Sequence, residues 1–115
     1  MINLDKAKVQ AAARRAYEEG RLQAQKNPGD GCLYRDDFGN PCAIGAALTD
    51  EEAQTIIDAG LNAIEIRSFR PGGPHTPRIP ITSDDWAYLS HLQDAHDSWS
   101  VDEEDEAQFK EVLDA

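Results

Sequence analysis

Cys42, His91, His96, Asp94 and Asp97 are the residues of this 115-residue chain whose types could assemble a nucleophile, a base and an orienting acid. Cys42 stands just before Ala43-Ile44-Gly45-Ala46-Ala47-Leu48. If that stretch is helical, its N-terminal dipole favours a thiolate there. With His96 or His91 as base and Asp97 or Asp94 as orienter, the set is that of a cysteine-dependent acyl-transfer enzyme. The same residues also have a packing reading. Cysteine is among the most buried residue types, so Cys32 and Cys42 can pack across a hairpin. His96, on an apolar stripe, can hydrogen-bond through its ring nitrogens to hold that hairpin against a helix. Cys32, Cys42 and His96 form the structural set of this second reading, which is the preferred one.

A metal reading takes Cys32, Cys42, His96 and an acid as zinc ligands. His91 and His96 are five residues apart rather than the four that place two ligands on one helix face, and no Cys-x-x-Cys pair occurs. Pro71-Gly72-Gly73-Pro74 lacks the lysine and following helix of a phosphate loop. No metal and no cofactor is expected.

The acids make the stronger pattern. Residues 1–48 carry seven basic and six acidic side chains, residues 49–81 three and five, and residues 82–115 one and eleven, so nearly all of the net charge of −11 lies in the last third. Asp102, Glu103, Glu104, Asp105 and Glu106 are consecutive, and Asp84, Asp85, Asp94 and Asp97 on the preceding segment could complete one surface. Such a field attracts cationic surfaces and repels nucleic acid and anionic membrane. Direct nucleic-acid binding and membrane binding are therefore not expected. The alternative for the same residues is that acids favour the first turn of a helix by about 0.3–1 kcal/mol each and keep the protein soluble.

Positioning these groups requires helices around a small extended element. Residues 4–25, with Val9, Ala13, Ala16, Tyr17, Gly20 and Ala24 near one stripe, read as a first helix ended by the Pro28-Gly29 region. Residues 32–44 read as a two-armed antiparallel hairpin carrying the cysteines. Thr49 to Glu52 has the form of a capping box, and Gly60 stands where a helix over 50–59 would stop. Residues 63–67 alternate like a strand, and residues 70–80, with four prolines and two glycines, form an irregular loop. Thr82 or Ser83 caps a helix to about residue 98, in which Trp86, Leu89, Leu92, His96 and Trp99 recur at steps of three or four. Ser100 and Glu103 suggest a further capping box before a last helix bearing Phe109, Val112 and Leu113.

The expected fold is thus α+β and mainly helical, with about four helices and a small antiparallel element of two or three strands. Its parts are an N-terminal helix over 1–25, a cysteine hairpin over 32–44, a Pro/Gly-rich loop over 70–80 and an acidic helical part over 82–115. The length suits one domain, and eight aromatic residues can anchor its core. No stretch approaches the ~20 apolar residues of a spanning helix, the first residues lack a secretory run, and two cysteines make no disulfide framework, so a cytoplasmic location is expected.

Cys32-x-Tyr34, Gly39-x-x-Cys42-Ala43-Ile44-Gly45, Asp50-Glu51 and the downstream Leu92-Gln93-x-Ala95-His96-Asp97 resemble a group of small proteins of bacteriophages and prophages of proteobacteria. The resemblance covers about half of the chain. It implies a mobile-element origin and a protein that modifies or blocks host machinery. Joined to the acidic last third, it leads to a non-enzymatic inhibitor or decoy, of an anti-CRISPR type, that occupies the nucleic-acid site of a host defence complex. The alternatives are the cysteine enzyme and a small interaction module using Arg67, Arg70 and the proline-rich loop.

Overall fold

The computed structural model describes residues 2–22, 34–35, 40–61, 66–69 and 81–115. Among these are strand β1 (Ile2–Asn3), helix α1 (Lys6–Glu18), helix α2 (Asp50–Asp58), strand β2 (Ile81–Thr82), helix α3 (Trp86–Val101) and helix α4 (Glu106–Asp114), with single 3₁₀ turns at Gly45–Ala47, Ile66–Phe69 and Glu103–Asp105. The chain is mainly helical with four α-helices among the described residues, as the sequence suggests.

The sheet corrects the expectation. It has two strands, and they are parallel, with Ile2 opposite Ile81 and Asn3 opposite Thr82. Both isoleucines are 5% exposed, and Leu4 N–H extends the ladder to the Thr82 carbonyl at 2.9 Å. Each strand feeds a helix that begins within four residues, so the parallel pair joins two strand-helix units, β1 with α1 and β2 with α3. Asp85 makes this explicit: it precedes α3, yet its carboxylate accepts from Lys6 N–H at 2.9 Å and so caps α1. Of the antiparallel element assigned to the cysteine hairpin, the described residues show one isolated bridge, Arg35 with Pro41. Beyond Pro41 the chain leaves extended geometry, turning through residues 42–44 into the 3₁₀ turn at Gly45–Ala47.

Further boundaries differ for identifiable reasons. α1 stops at Glu18 rather than near residue 25, because Gly20 takes φ +69° and closes a Schellman motif, Gly20 N–H to Tyr17 O at 3.1 Å and Arg21 N–H to Ala16 O at 2.8 Å. Ile66 and Arg67 lie in a 3₁₀ turn instead of the expected strand over 63–67, and the spacing of three from Ile66 to Phe69 turns both of these side chains into the core at 0% and 2% exposure. The rest of that expected strand, residues 63–65, lies outside the described residues. Ser100 falls inside α3, and the cap of the Glu103–Asp105 turn is Asp102, whose Oδ1 accepts from Glu104 N–H at 3.0 Å.

α3 is the central element. Leu89, Leu92 and His96 are fully buried on it, and it packs on α4, on α1 and on the Ile66–Phe69 turn. At its C-terminal half Tyr17 of α1, His96 and Trp99 of α3 and Phe109 of α4 form a four-ring cluster, with Trp99 stacked on Phe109 at 5.2 Å and the other ring pairs edge-on or tilted at 5.5–5.9 Å. None of the helices in the described residues is long and apolar enough to cross a membrane.

Candidate functional site

Two centres follow from the sequence, and the structure places them differently. The first is the turn holding Cys42. Cys42 is 1% exposed, and its sulfur accepts from Gly45 N–H at 3.2 Å, ahead of the three-residue turn Gly45–Ala47 whose N-cap is Ile44. His96 is fully buried, and its Nδ1 accepts from Ala43 N–H at 3.3 Å. That bond requires an unprotonated Nδ1, and therefore the Nε2–H tautomer in the neutral ring. The imidazole thus stitches the 42–45 turn to α3, a contact between residues 53 apart in sequence.

Around this stitch nearly every described residue of the two resembling segments is buried. Tyr34, Cys42, Ala43, Ile44, Gly45, Leu92, Gln93, Ala95 and His96 all lie in the core. A Cβ on Gly45 would collide with the Tyr34 carbonyl, so the motif glycine is required by a close backbone approach. Gln93 Oε1 accepts from Ile66 N–H at 2.8 Å, satisfying a buried donor at the head of the 3₁₀ turn. His91, by contrast, is exposed on the outer face of α3 with Asp94, and Asp97 is half-buried beside His96. Cys32 lies outside the described residues. Among those described, no group of three or more His, Cys, Asp or Glu side chains is arranged to hold a metal ion.

Arg35 is a residue whose importance the sequence reading missed. Its guanidinium donates to the carbonyls of Tyr34 at 3.0 Å, Gly45 and Leu48 at 2.9 Å, and stands 3.6 Å from the Asp50 carboxylate. The arginine collects carbonyls on either side of the Gly45–Ala47 turn and ties that turn to the start of α2. Arg35 is also paired with Pro41 in the isolated bridge, a tertiary placement invisible in composition or spacing.

The second centre is acidic. Asp84 and Asp85 precede α3, Asp94 and Asp97 lie along it, and residues 102–106 follow it; with 16 residues in α3, its two ends are about 24 Å apart. The nine carboxylates are therefore not one compact surface. Several have structural duties: Asp85 caps α1, Asp102 starts the 3₁₀ turn, and Glu106 Oε1 accepts from Tyr17 O–H at 3.0 Å. Burial, followed by the bond to Glu106 and the charge of its carboxylate, pushes the Tyr17 phenol above its ordinary pKa of 10.0. Between these anchors Glu103 and Glu104 are exposed and Asp105 half-exposed on the Glu103–Asp105 turn, and among the described residues no ion pair reaches them. Asp114, near the end of α4, pairs with Arg14 of α1 at 2.8 Å.

In comparisons with known proteins no family model matches the chain, and no curated protein or solved structure matches it.

Proposed function

We propose that the protein is a non-enzymatic acidic binding protein that presents the corner between α3 and α4 to a cationic surface of a partner. The observation that carries this reading is the arrangement of residues 102–106. Glu106 is tied to Tyr17 of α1 and Asp102 caps the turn through Glu104 N–H, and Glu103, Glu104 and Asp105 between them are exposed or half-exposed without an ion pair among the described residues. A 3₁₀ turn rises about 2 Å per residue, while duplex DNA carries one charge per ~1.7 Å of axis. The corner thus offers a short length of comparable charge density in fixed geometry. Asp84 and Asp85 stand at the far end of α3, apart from this corner.

The partner class that suits such a corner is a complex with a cationic nucleic-acid channel, blocked by occupation. The resemblance to phage and prophage proteins supports a host defence complex of the CRISPR kind as that partner, met in the cytoplasm of the host cell. The test is capture of partners from nuclease-treated bacterial lysate by the tagged protein and by a Glu103→Gln, Glu104→Gln, Asp105→Asn variant, which keeps both anchoring acids. The expected result is a nucleic-acid-binding complex that is retained at low salt, lost at moderately high salt and not held by the variant. A partner that binds the variant equally, or persists in high salt, would show that the acidic corner is not the interface.

A further inference from the structure

The flank of α1 that faces away from α4 carries an open groove of about 660 Å³, within the size range of small-molecule sites. Ala11 and Ala12 of α1 and Ala46 of the Gly45–Ala47 turn give it an apolar floor. Lys8, Arg15 and Arg21 rim it, with Glu19 as the one acid in the lining. In a chain whose net charge is −11, this groove carries a local excess of positive charge.

One end is already shaped to a carboxylate. The positive-φ turn at Gly20 sends Arg21 back against Glu19, with Nε and Nη2 at 2.8 and 2.7 Å from Oε1, while Arg15 Nε lies 3.7 Å from Oε2. Two guanidiniums thus converge on one acid supplied by the chain itself. These side chains are 44% to 79% exposed, and ion pairs so open to water exchange readily with competing carboxylates. At the other end Lys8 Nζ donates to Asn3 O at 2.9 Å. Lys8 and Arg15 are two helical turns apart, about 10 Å along the axis, with the alanines between them.

We infer that this groove binds a small organic dianion with an apolar middle. One carboxylate or phosphate takes the place of Glu19 between Arg15 and Arg21, the apolar body lies on the alanine floor, and the second acid group reaches Lys8. The site is independent of the acidic corner and does not rest on the partner proposed for it.

The experiment is an NMR titration of the ¹⁵N-labelled full chain with decanedioate, and with decanoate and decanol as probes lacking one or both acid groups. Shift changes are expected at amides of residues 8–21 and at Ala46, with decanedioate binding roughly fivefold to tenfold tighter than decanoate. Glu19→Gln removes the internal competitor and should tighten binding several-fold. Glu18→Gln makes the same charge change at an exposed residue outside the groove lining and should leave affinity unchanged. Ala12→Leu fills the groove without touching a charge and should abolish the shifts in a spectrum that otherwise remains folded. Absence of shifts with every probe, equal gains in the two glutamine variants, or undiminished binding to Ala12→Leu would each overturn the assignment.

Discussion

Individual side chains here are set by the neighbours that satisfy them. Tyr17 belongs to the four-ring cluster and donates to Glu106, and burial first, then that carboxylate, raises its pKa above 10.0. Tyr88, raised chiefly by burial, donates to the Val112 carbonyl at 3.0 Å. A phenol whose folded pKa lies above the unfolded one binds its proton more tightly in the native state. The stability it contributes is complete below about pH 10 and lost as pH rises through the folded value. Alkaline titration followed by phenolate absorbance should therefore show late-ionising tyrosine that Tyr17→Phe and Tyr88→Phe each diminish. In thermal melts the drop in stability above about pH 10 should shrink in both variants. A second residue-scale outcome concerns Gly45. Because a Cβ there meets the backbone of Tyr34, Gly45→Ala should cost about 1–3 kcal/mol, read as a lowered urea midpoint at unchanged slope.

At the scale of elements, what was legible depended on whether the deciding interaction was local. α2 was readable because its start and stop lie within it: Thr49 and Glu52 exchange both capping-box bonds at 3.1 and 2.9 Å, and Gly60 at φ +75° closes a second Schellman motif. Gly20 carries the same stop signal in α1, yet a run of good helix formers follows it and masked the signal. Both glycines should respond alike: Gly20→Ala and Gly60→Ala place a Cβ at positive φ in open space, so the strain appears undiluted by clash and should cost about 1 kcal/mol each in chemical denaturation. The parallel sheet was not legible, because two-residue strands show no alternation and their pairing joins residues 79 apart. Hidden for the same reason were Asp85 capping a different helix and Arg35 collecting carbonyls on either side of the 3₁₀ turn. The apolar stripe of α3, including His96, was readable from helical spacing. Its hydrogen-bonded partner at Ala43 depends on tertiary placement.

Across the whole molecule, charge is the dominant fact, and it was fully legible: composition alone puts eleven acids and one base in residues 82–115. What composition could not say is which acids are structural and which are presented, since that division follows from whether a carboxylate meets an N–H, a hydroxyl or only water. Folding brings these like charges closer than the unfolded chain does, so the native state bears a self-repulsion that salt relieves. The melting temperature should rise from low ionic strength to about 0.15 M and beyond, as the screening length falls to about 8 Å. The Glu103→Gln, Glu104→Gln, Asp105→Asn variant should melt higher than the parent at low salt and converge with it at high salt, because it removes repulsion while Asp102 and Glu106 keep their bonds. Neutralising Asp102 and Glu106 by alanine should instead lower the melting temperature at every salt concentration, since each then loses a bond that salt does not restore. If the two variants behaved alike, the division of this acidic run into anchors and a presented corner would be wrong, and its five carboxylates would act only as a uniform solubilising field.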